Sequence, residues 1–127
     1  MLRLPIDLPL IAAEDIENIL ARVNDQPAIV IVPSRDGTGT NAIVRTPPEL
    51  FPSHFGPNSL ARHLDEARRC GVPCELIHLS RIALDLDCPA DLAYLLACGR
   101  GTSVNEFLQN LRIDERLALA APWAEAL

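Results

Sequence analysis

The apolar run at residues 28–32 constrains the fold more than any other feature of the chain. Its sequence, Ala-Ile-Val-Ile-Val, is uninterrupted and rich in β-branched residues, and Pro33 follows it. Such a run is typical of a strand buried on both faces of a sheet. Apolar residues at helical spacing lie before it, within 13–24, and after it, within 60–67. Strands that alternate with helices predict an α/β fold with a mainly parallel sheet and flanking helices.

Length and charge limit the protein class. The 127 residues predict a single domain over 1–127, whose C-terminal tail, 99–127, would contain one or two short helices. A formal net charge of −6 argues against a nucleic-acid partner. The sequence contains neither a run of 18 apolar residues nor a signal peptide, so we expect no membrane partner. The four cysteines are spaced unlike a zinc site, so we expect reduced thiols in a cytoplasmic protein.

A loop rich in glycine and threonine follows the buried strand. Residues 37–42, Gly-Thr-Gly-Thr-Asn-Ala, fit a loose dinucleotide-binding pattern. That motif requires a helix to begin inside it, whereas Ile43 and Val44 predict extended chain. Ligands of open α/β sheets bind beyond the carboxyl ends of strands. The glycines would therefore let the backbone approach an anion, and the Thr38 and Thr40 hydroxyls would donate to it. The alternative is a flexible surface loop.

A second candidate anion site lies where Gly56-Pro57-Asn58-Ser59 begins a helix. The first helical turn leaves several N–H groups unpaired and carries partial positive charge. Asn58 and Ser59 could add side-chain donors to a bound phosphate. The alternative is that one of these two residues only caps the helix, which is the commoner role.

Two carboxylates, Asp85 and Asp87, stand two residues apart. In extended chain both would point to the same side, about 7 Å apart. Like charges at that distance are unfavourable unless water or a cation intervenes, so we predict a divalent-cation site. Asp7 could supply a third oxygen ligand. The competing role for Asp87 is to cap a helix predicted to begin near Pro89.

The three histidines, His54, His63 and His78, share no spacing. We expect them to be ordinary surface or partly buried residues. No Ser-His-Asp order or Cys-His pairing stands out, so the sequence identifies no catalytic side chain. The predicted chemistry rests on metal and phosphate.

Several segments, taken in order, resemble a known enzyme family. They are residues 7–10, 31–42, 47–48, 55–67 and 83–92. In this order they resemble the phospholactate or phosphoenolpyruvate guanylyltransferases of coenzyme F(420) biosynthesis, across about residues 2–111. The resemblance implies a nucleotidyltransferase-like α/β fold of the nucleotide-diphospho-sugar transferase type.

The resemblance also implies a reaction and a set of site residues. GMP would be transferred from GTP to the phosphate of 2-phospholactate, phosphoenolpyruvate or 3-phosphoglycerate, with release of pyrophosphate and with magnesium as cofactor. Among the residues that match the family's motif, the phosphorylated acid would be bound by Thr40, Gly56 and Ser59. Magnesium would be bound by Asp7, Asp85 and Asp87.

Members of this family are longer and begin with a strand, a basic loop and a helix that should help to hold GTP. This chain starts at Met1, just before residues 7–10. We therefore expect an N-terminally truncated member that transfers little or no GMP by itself. Such a truncation implies a partner, a separately encoded N-terminal half. The alternative is a non-catalytic or remnant subunit that has lost GTP binding but keeps the acceptor-binding and metal-binding elements.

Overall fold

The computed structural model describes residues 1–119 of the chain. The chain divides into two compact units, the first spanning Met1–Leu84 and the second beginning at Asp85. This boundary precedes the tail predicted to begin at residue 99. The single-domain interpretation stays a prediction.

The first unit contains a four-stranded sheet and three helices. In chain order its elements are β1 (Leu2–Arg3), α1 (Ala13–Leu20), β2 (Ala28–Pro33), β3 (Thr40–Thr46), a 3-10 turn (Pro48–Leu50), α2 (Ser59–Cys70), β4 (Cys74–Leu76) and the one-turn α3 (Ser80–Ala83). The predicted α/β class is confirmed.

The sheet is mixed, with strand order β1-β3-β2-β4. Only β2 and β4 pair in parallel, whereas β3 runs antiparallel to both β1 and β2. The expectation of a mainly parallel sheet is therefore wrong for the described residues. The reason is the connection between β2 and β3: residues 34–39 form a short loop, and a parallel crossover needs a dozen or more residues. The predicted extended chain after this loop is confirmed by β3.

Both faces of the sheet are covered, as the run at 28–32 predicted. On one face Val30 and Val32 pack with Ile19 of α1 and Ile82 of α3. On the other face, on the side of α2, lies a second cluster of buried residues. Its members are Ile29, Ile31, Ile43, Phe51 and Ala67. β2 is thus an interior strand of the sheet, and the loop that follows it begins from a rigid position.

The second unit is helical in the part that the structure describes. Its helices are α4 (Pro89–Cys98), α5 (Ser103–Asn110) and α6 (Ile113–Leu119). Asn105 is buried and its Nδ2 donates to the Leu95 and Leu96 carbonyl oxygens, at 3.2 and 3.1 Å. This side chain gives the Leu95 carbonyl a second donor beside the Gly99 N–H, and it supplies a donor to the Leu96 carbonyl in the last turn of α4. Residues 1–119 include no helix with the length and apolar character needed to cross a membrane.

Candidate functional site

The loop between β2 and β3 is held by its own polar groups. The Asp36 carboxylate accepts hydrogen bonds from the Ser34 hydroxyl at 2.6 Å, the Thr38 hydroxyl at 2.8 Å and the Thr38 N–H at 3.0 Å. These bonds lower the pKa of Asp36 to about 2, and the bond from Ser34 has the largest effect. Gly39 N–H donates in turn to Ser34 Oγ at 2.7 Å. The alternative of a flexible loop is therefore not favoured, because a charged acceptor ties its turns together.

The two threonines of this loop have different partners. The Thr38 hydroxyl donates to Asp36, so the expectation that it donates to a bound anion is wrong for this conformation. Asp36, only two residues away, competes for that proton. Thr40 is the first residue of β3, is 4% exposed, and makes its hydrogen bond to another element. For Thr40 the role of donor to an anion stays a prediction.

The loop and the start of α2, predicted as separate anion sites, are bonded to each other. Leu60 N–H donates to the Thr38 carbonyl at 3.2 Å. Thr40 Oγ1 lies 3.0 Å from Nδ1 of His63, one turn further along α2. The structure therefore brings Thr40 beside the helix that Gly56 and Ser59 begin.

The first turn of α2 has an unusual entry. Asn58, the residue at the N-cap, has a left-handed backbone with φ 56°, and its side chain makes no capping hydrogen bond. Side-chain caps ordinarily need extended backbone at this position, which explains the missing bond. Ser59 is the first residue inside the helix and is 2% exposed. The capping interpretation is therefore wrong for both residues.

Gly56 precedes this turn with φ 101°, a conformation that L-residues with side chains rarely adopt. A Cβ built at Gly56 would meet no atom within 4 Å. The glycine is thus required by its backbone conformation rather than by crowding, and its α-carbon faces open space. A ligand could approach the backbone there.

His63 is fully buried, so the expectation of an ordinary surface or partly buried histidine is wrong for it. Its ring lies between Phe51 and Phe55, with centroid distances of 6.1 and 5.9 Å. Nε2 accepts the His54 backbone N–H at 2.8 Å, and Nδ1 meets Thr40. A signal was available in the sequence: Ser59, His63 and Ala67 repeat every four residues, and all three are buried on one face of α2.

Burial, together with the nearby charges of His54, Arg45 and Arg62, lowers the pKa of His63 to about 4. Between pH 6.5 and about 4 the unfolded chain therefore takes up a proton at His63 that the native protein does not. We expect the free energy of unfolding to fall as the pH is lowered through this window. Urea unfolding at several pH values would measure it.

His78 provides the control for this pH dependence, because its side chain is exposed. His63→Gln should flatten the dependence between pH 6.5 and 4, whereas His78→Gln should leave it as in the parent. An equal slope in the parent and in His63→Gln would contradict the assignment.

The carboxylates of the second unit lie before α4. Asp85 and Asp87 are outside any strand, and the chain bends at Asp87, so the extended geometry assumed from the sequence does not hold. Cys88, not Asp87, is the N-cap of α4. Asp91 Oδ2 accepts the N–H groups of Asp87 and Cys88 at 3.1 and 3.0 Å. The competing capping role of Asp87 is therefore wrong, because Cys88 occupies the N-cap position.

Asp7, the third predicted metal ligand, belongs to the first unit. Its Oδ1 is buried and has no hydrogen-bond partner within residues 1–119. A buried carboxylate oxygen without a partner is costly, and a cation would satisfy it. In the same part of the chain, no three His, Cys, Asp or Glu side chains are grouped so as to hold a metal by themselves. Magnesium commonly takes one or two carboxylates and completes its shell with phosphate oxygens and water, so Asp7 in the first unit, and the pair Asp85 and Asp87 in the second, are each the kind of ligand it uses.

Comparison with known proteins places the chain in a family. The family described as "Guanylyl transferase CofC like" matches residues 1–121, and the chain belongs to it. A phosphoenolpyruvate guanylyltransferase of Rubrobacter xylanophilus is 42% identical over 99 residues, which are 78% of this chain and 48% of that protein.

Relatives with other named acceptors match nearly as well. A 3-phospho-D-glycerate guanylyltransferase of Phenylobacterium zucineum is 38% identical over 86% of this chain and 50% of its own length. A 2-phospho-L-lactate guanylyltransferase of Methanoculleus marisnigri is 33% identical over 87% of this chain and 51% of its own length. The chain spans about half the length of the curated relatives it matches.

Proposed function

We propose that this chain takes part in the transfer of GMP from GTP to the phosphate of a small phosphorylated acid. An oxygen of the acceptor phosphate forms a bond to the α-phosphorus of GTP. The bond from that phosphorus to the bridging oxygen of the β-phosphate breaks, and pyrophosphate leaves. Family membership supports the reaction, and the contact between the Gly-Thr loop and the start of α2 supports the acceptor site.

The residues of the first unit are suited to hold an acceptor phosphate. Thr40 and Ser59 are nearly buried, so packing fixes where their hydroxyl groups lie before a ligand arrives. The open side of Gly56 lets an oxygen approach the backbone. Hydroxyl and backbone donors at a helix start bind phosphate without a basic side chain. In this proposal Thr40, Gly56 and Ser59 bind the phosphorylated acid.

Asp7, Asp85 and Asp87 would hold magnesium. The Oδ1 of Asp7, which has no hydrogen-bond partner among residues 1–119, supports a cation there. When bound, magnesium would offset the negative charge that builds up where two phosphorylated reactants meet. The same proposal gives the chain a fold of the nucleotide-diphospho-sugar transferase type and a place in coenzyme F(420) biosynthesis.

The test is to offer the full chain GTP, magnesium and each of three acceptors: phosphoenolpyruvate, 3-phosphoglycerate and 2-phospholactate. Calorimetry measures acceptor binding, and chromatography with a pyrophosphate assay measures transfer. We expect at least one acceptor to bind and any guanylylated product to form with an equal amount of pyrophosphate. Pyruvate, glycerate and lactate are the controls, because they lack the phosphate and should not bind.

Two results would count against these statements separately. If none of the three acceptors binds and no product forms, the proposed function is wrong. A turnover at or above about 1 per second would support the reaction but contradict the expectation of little transfer by this chain.

A further inference from the structure

His63 has no role in the reaction proposed above, yet it is the buried residue that meets Thr40. Its two ring nitrogens have partners of different kinds. A backbone N–H can only donate, so the bond from His54 N–H to Nε2 requires Nε2 to be without a proton. Because the buried ring is neutral near pH 7, its single proton must then be on Nδ1.

The position of His54 is itself fixed by α2. Its Nε2 lies 3.1 Å from Glu66 Oε1, and its Nδ1 lies 3.1 Å from Nη2 of Arg62. Arg62 and Glu66 flank His63 on the helix and hold the residue whose backbone N–H meets His63. The tautomer of His63 therefore follows from the fold and does not depend on a ligand.

This tautomer decides what the Thr40 hydroxyl can do. Nδ1–H donates across 3.0 Å, so Thr40 Oγ1 is the acceptor in that bond. The one hydrogen of the hydroxyl must then point away from His63. The Thr40 hydroxyl makes no other hydrogen bond within the described residues, so this hydrogen is left for a partner outside the protein. A hydroxyl that already accepts a hydrogen bond is also a better donor, because neighbouring bonds polarise each other.

We propose that His63 is a positioning residue, which donates from Nδ1 to Thr40 Oγ1 and so directs the Thr40 hydroxyl hydrogen to the phosphate of the acceptor. This inference rests on the proposed function. In this proposal His63 does not touch the acceptor. It acts through its hydrogen bond to Thr40 at the start of β3.

Two substitutions separate the two nitrogens of the ring. The amide of glutamine reaches the place of Nε2 and can accept from His54 N–H, but offers nothing at Nδ1. The shorter amide of asparagine places an N–H near Nδ1 and can donate to Thr40. We expect His63→Gln to weaken phosphoenolpyruvate binding about two- to twelve-fold, the range for one neutral hydrogen bond. His63→Asn should restore most of the parent affinity.

A double-mutant cycle tests whether the effect passes through Thr40. Phosphoenolpyruvate binding is measured by calorimetry for the parent, His63→Gln, Thr40→Val and the double variant, with thermal unfolding measured alongside. We expect His63→Gln to cause no further loss of affinity once Thr40 is valine. A purely structural role would lower the melting temperature and weaken binding equally in both backgrounds.

The tautomer can be observed in the parent without any variant, by long-range 1H–15N correlation of the His63 ring at pH 7. We expect a protonated Nδ1 and a bare Nε2. The inference is overturned by an Nε2–H tautomer, by parent-like affinity in His63→Gln, or by equal losses in the two backgrounds of the cycle. If the parent binds none of the three acceptors, the proposed function fails and this inference fails with it. Binding by the parent with an unaffected His63→Gln variant rejects only the role of His63.

Discussion

Magnesium binding is expected to weaken about ten- to a hundred-fold when Asp85 or Asp87 is replaced by asparagine. Asparagine has nearly the shape of aspartate but removes the negative charge and one carboxylate oxygen, which are what a hard cation such as magnesium requires. Calorimetry with magnesium, and with manganese as a second probe, measures the change. The titrations are run with and without phosphoenolpyruvate, since magnesium also takes phosphate oxygens as ligands.

Asp114 supplies a matched control for this prediction. It is an exposed aspartate in the first turn of α6, so Asp114→Asn removes the same charge from the second unit at a position with no proposed ligand role. Asp7→Asn tests the ligand in the first unit, whose Oδ1 has no other partner in the described part of the chain. The metal role is rejected if the parent binds no cation, or if Asp85→Asn and Asp87→Asn bind as the parent does.

Features of the fold with a local cause could be predicted from the sequence. The run at 28–32 predicted a strand covered on both faces, because an interior strand can bury successive side chains, and the five residues 29–33 are all buried. Gly71 ends α2 with a left-handed backbone, and Pro89 begins α4 at its first position, because the two residues favour those backbone geometries intrinsically. In each case the residue that carries the signal lies inside or next to the element.

Strand direction and the partner of His63 depend on contacts distant in the sequence; the first was predicted wrongly and the second was not predicted. The alternation of strands and helices favoured a parallel sheet, but β3 returns through a short loop and pairs antiparallel to β2. His63 interacts with Thr40, 23 residues earlier in the chain. Nothing in the sequence indicates that this pair meets, because the packing of α2 against the sheet creates the contact.

Binding of the acceptor through its phosphate is expected to weaken by roughly 1.5–3 kcal/mol, or about 10- to 150-fold, when either hydroxyl is removed by Ser59→Ala or Thr40→Val. Each substitution deletes one hydrogen bond to a charged oxygen. Ser59→Ala should leave the melting temperature almost unchanged, because Ser59 lies inside the helix and does not cap it. Calorimetry with phosphoenolpyruvate and thermal unfolding of the same samples measure both quantities.

Thr40→Val has a second effect, which its matched control must separate from binding. Valine leaves the buried Nδ1–H of His63 without an acceptor, which should cost about 1–3 kcal/mol of stability. Thr40→Ser keeps the hydroxyl and the bond to His63, so it should bind phosphoenolpyruvate nearly as the parent does. For Ser59 the control is Ser103→Ala, at the equivalent first position of α5. If Thr40→Val and Thr40→Ser bind equally well, or if Ser59→Ala binds no more weakly than Ser103→Ala, the corresponding hydroxyl does not hold the phosphate. Parent-like affinity in both Thr40→Val and Ser59→Ala would leave only the backbone at Gly56 and the first turn of α2 as an anion site.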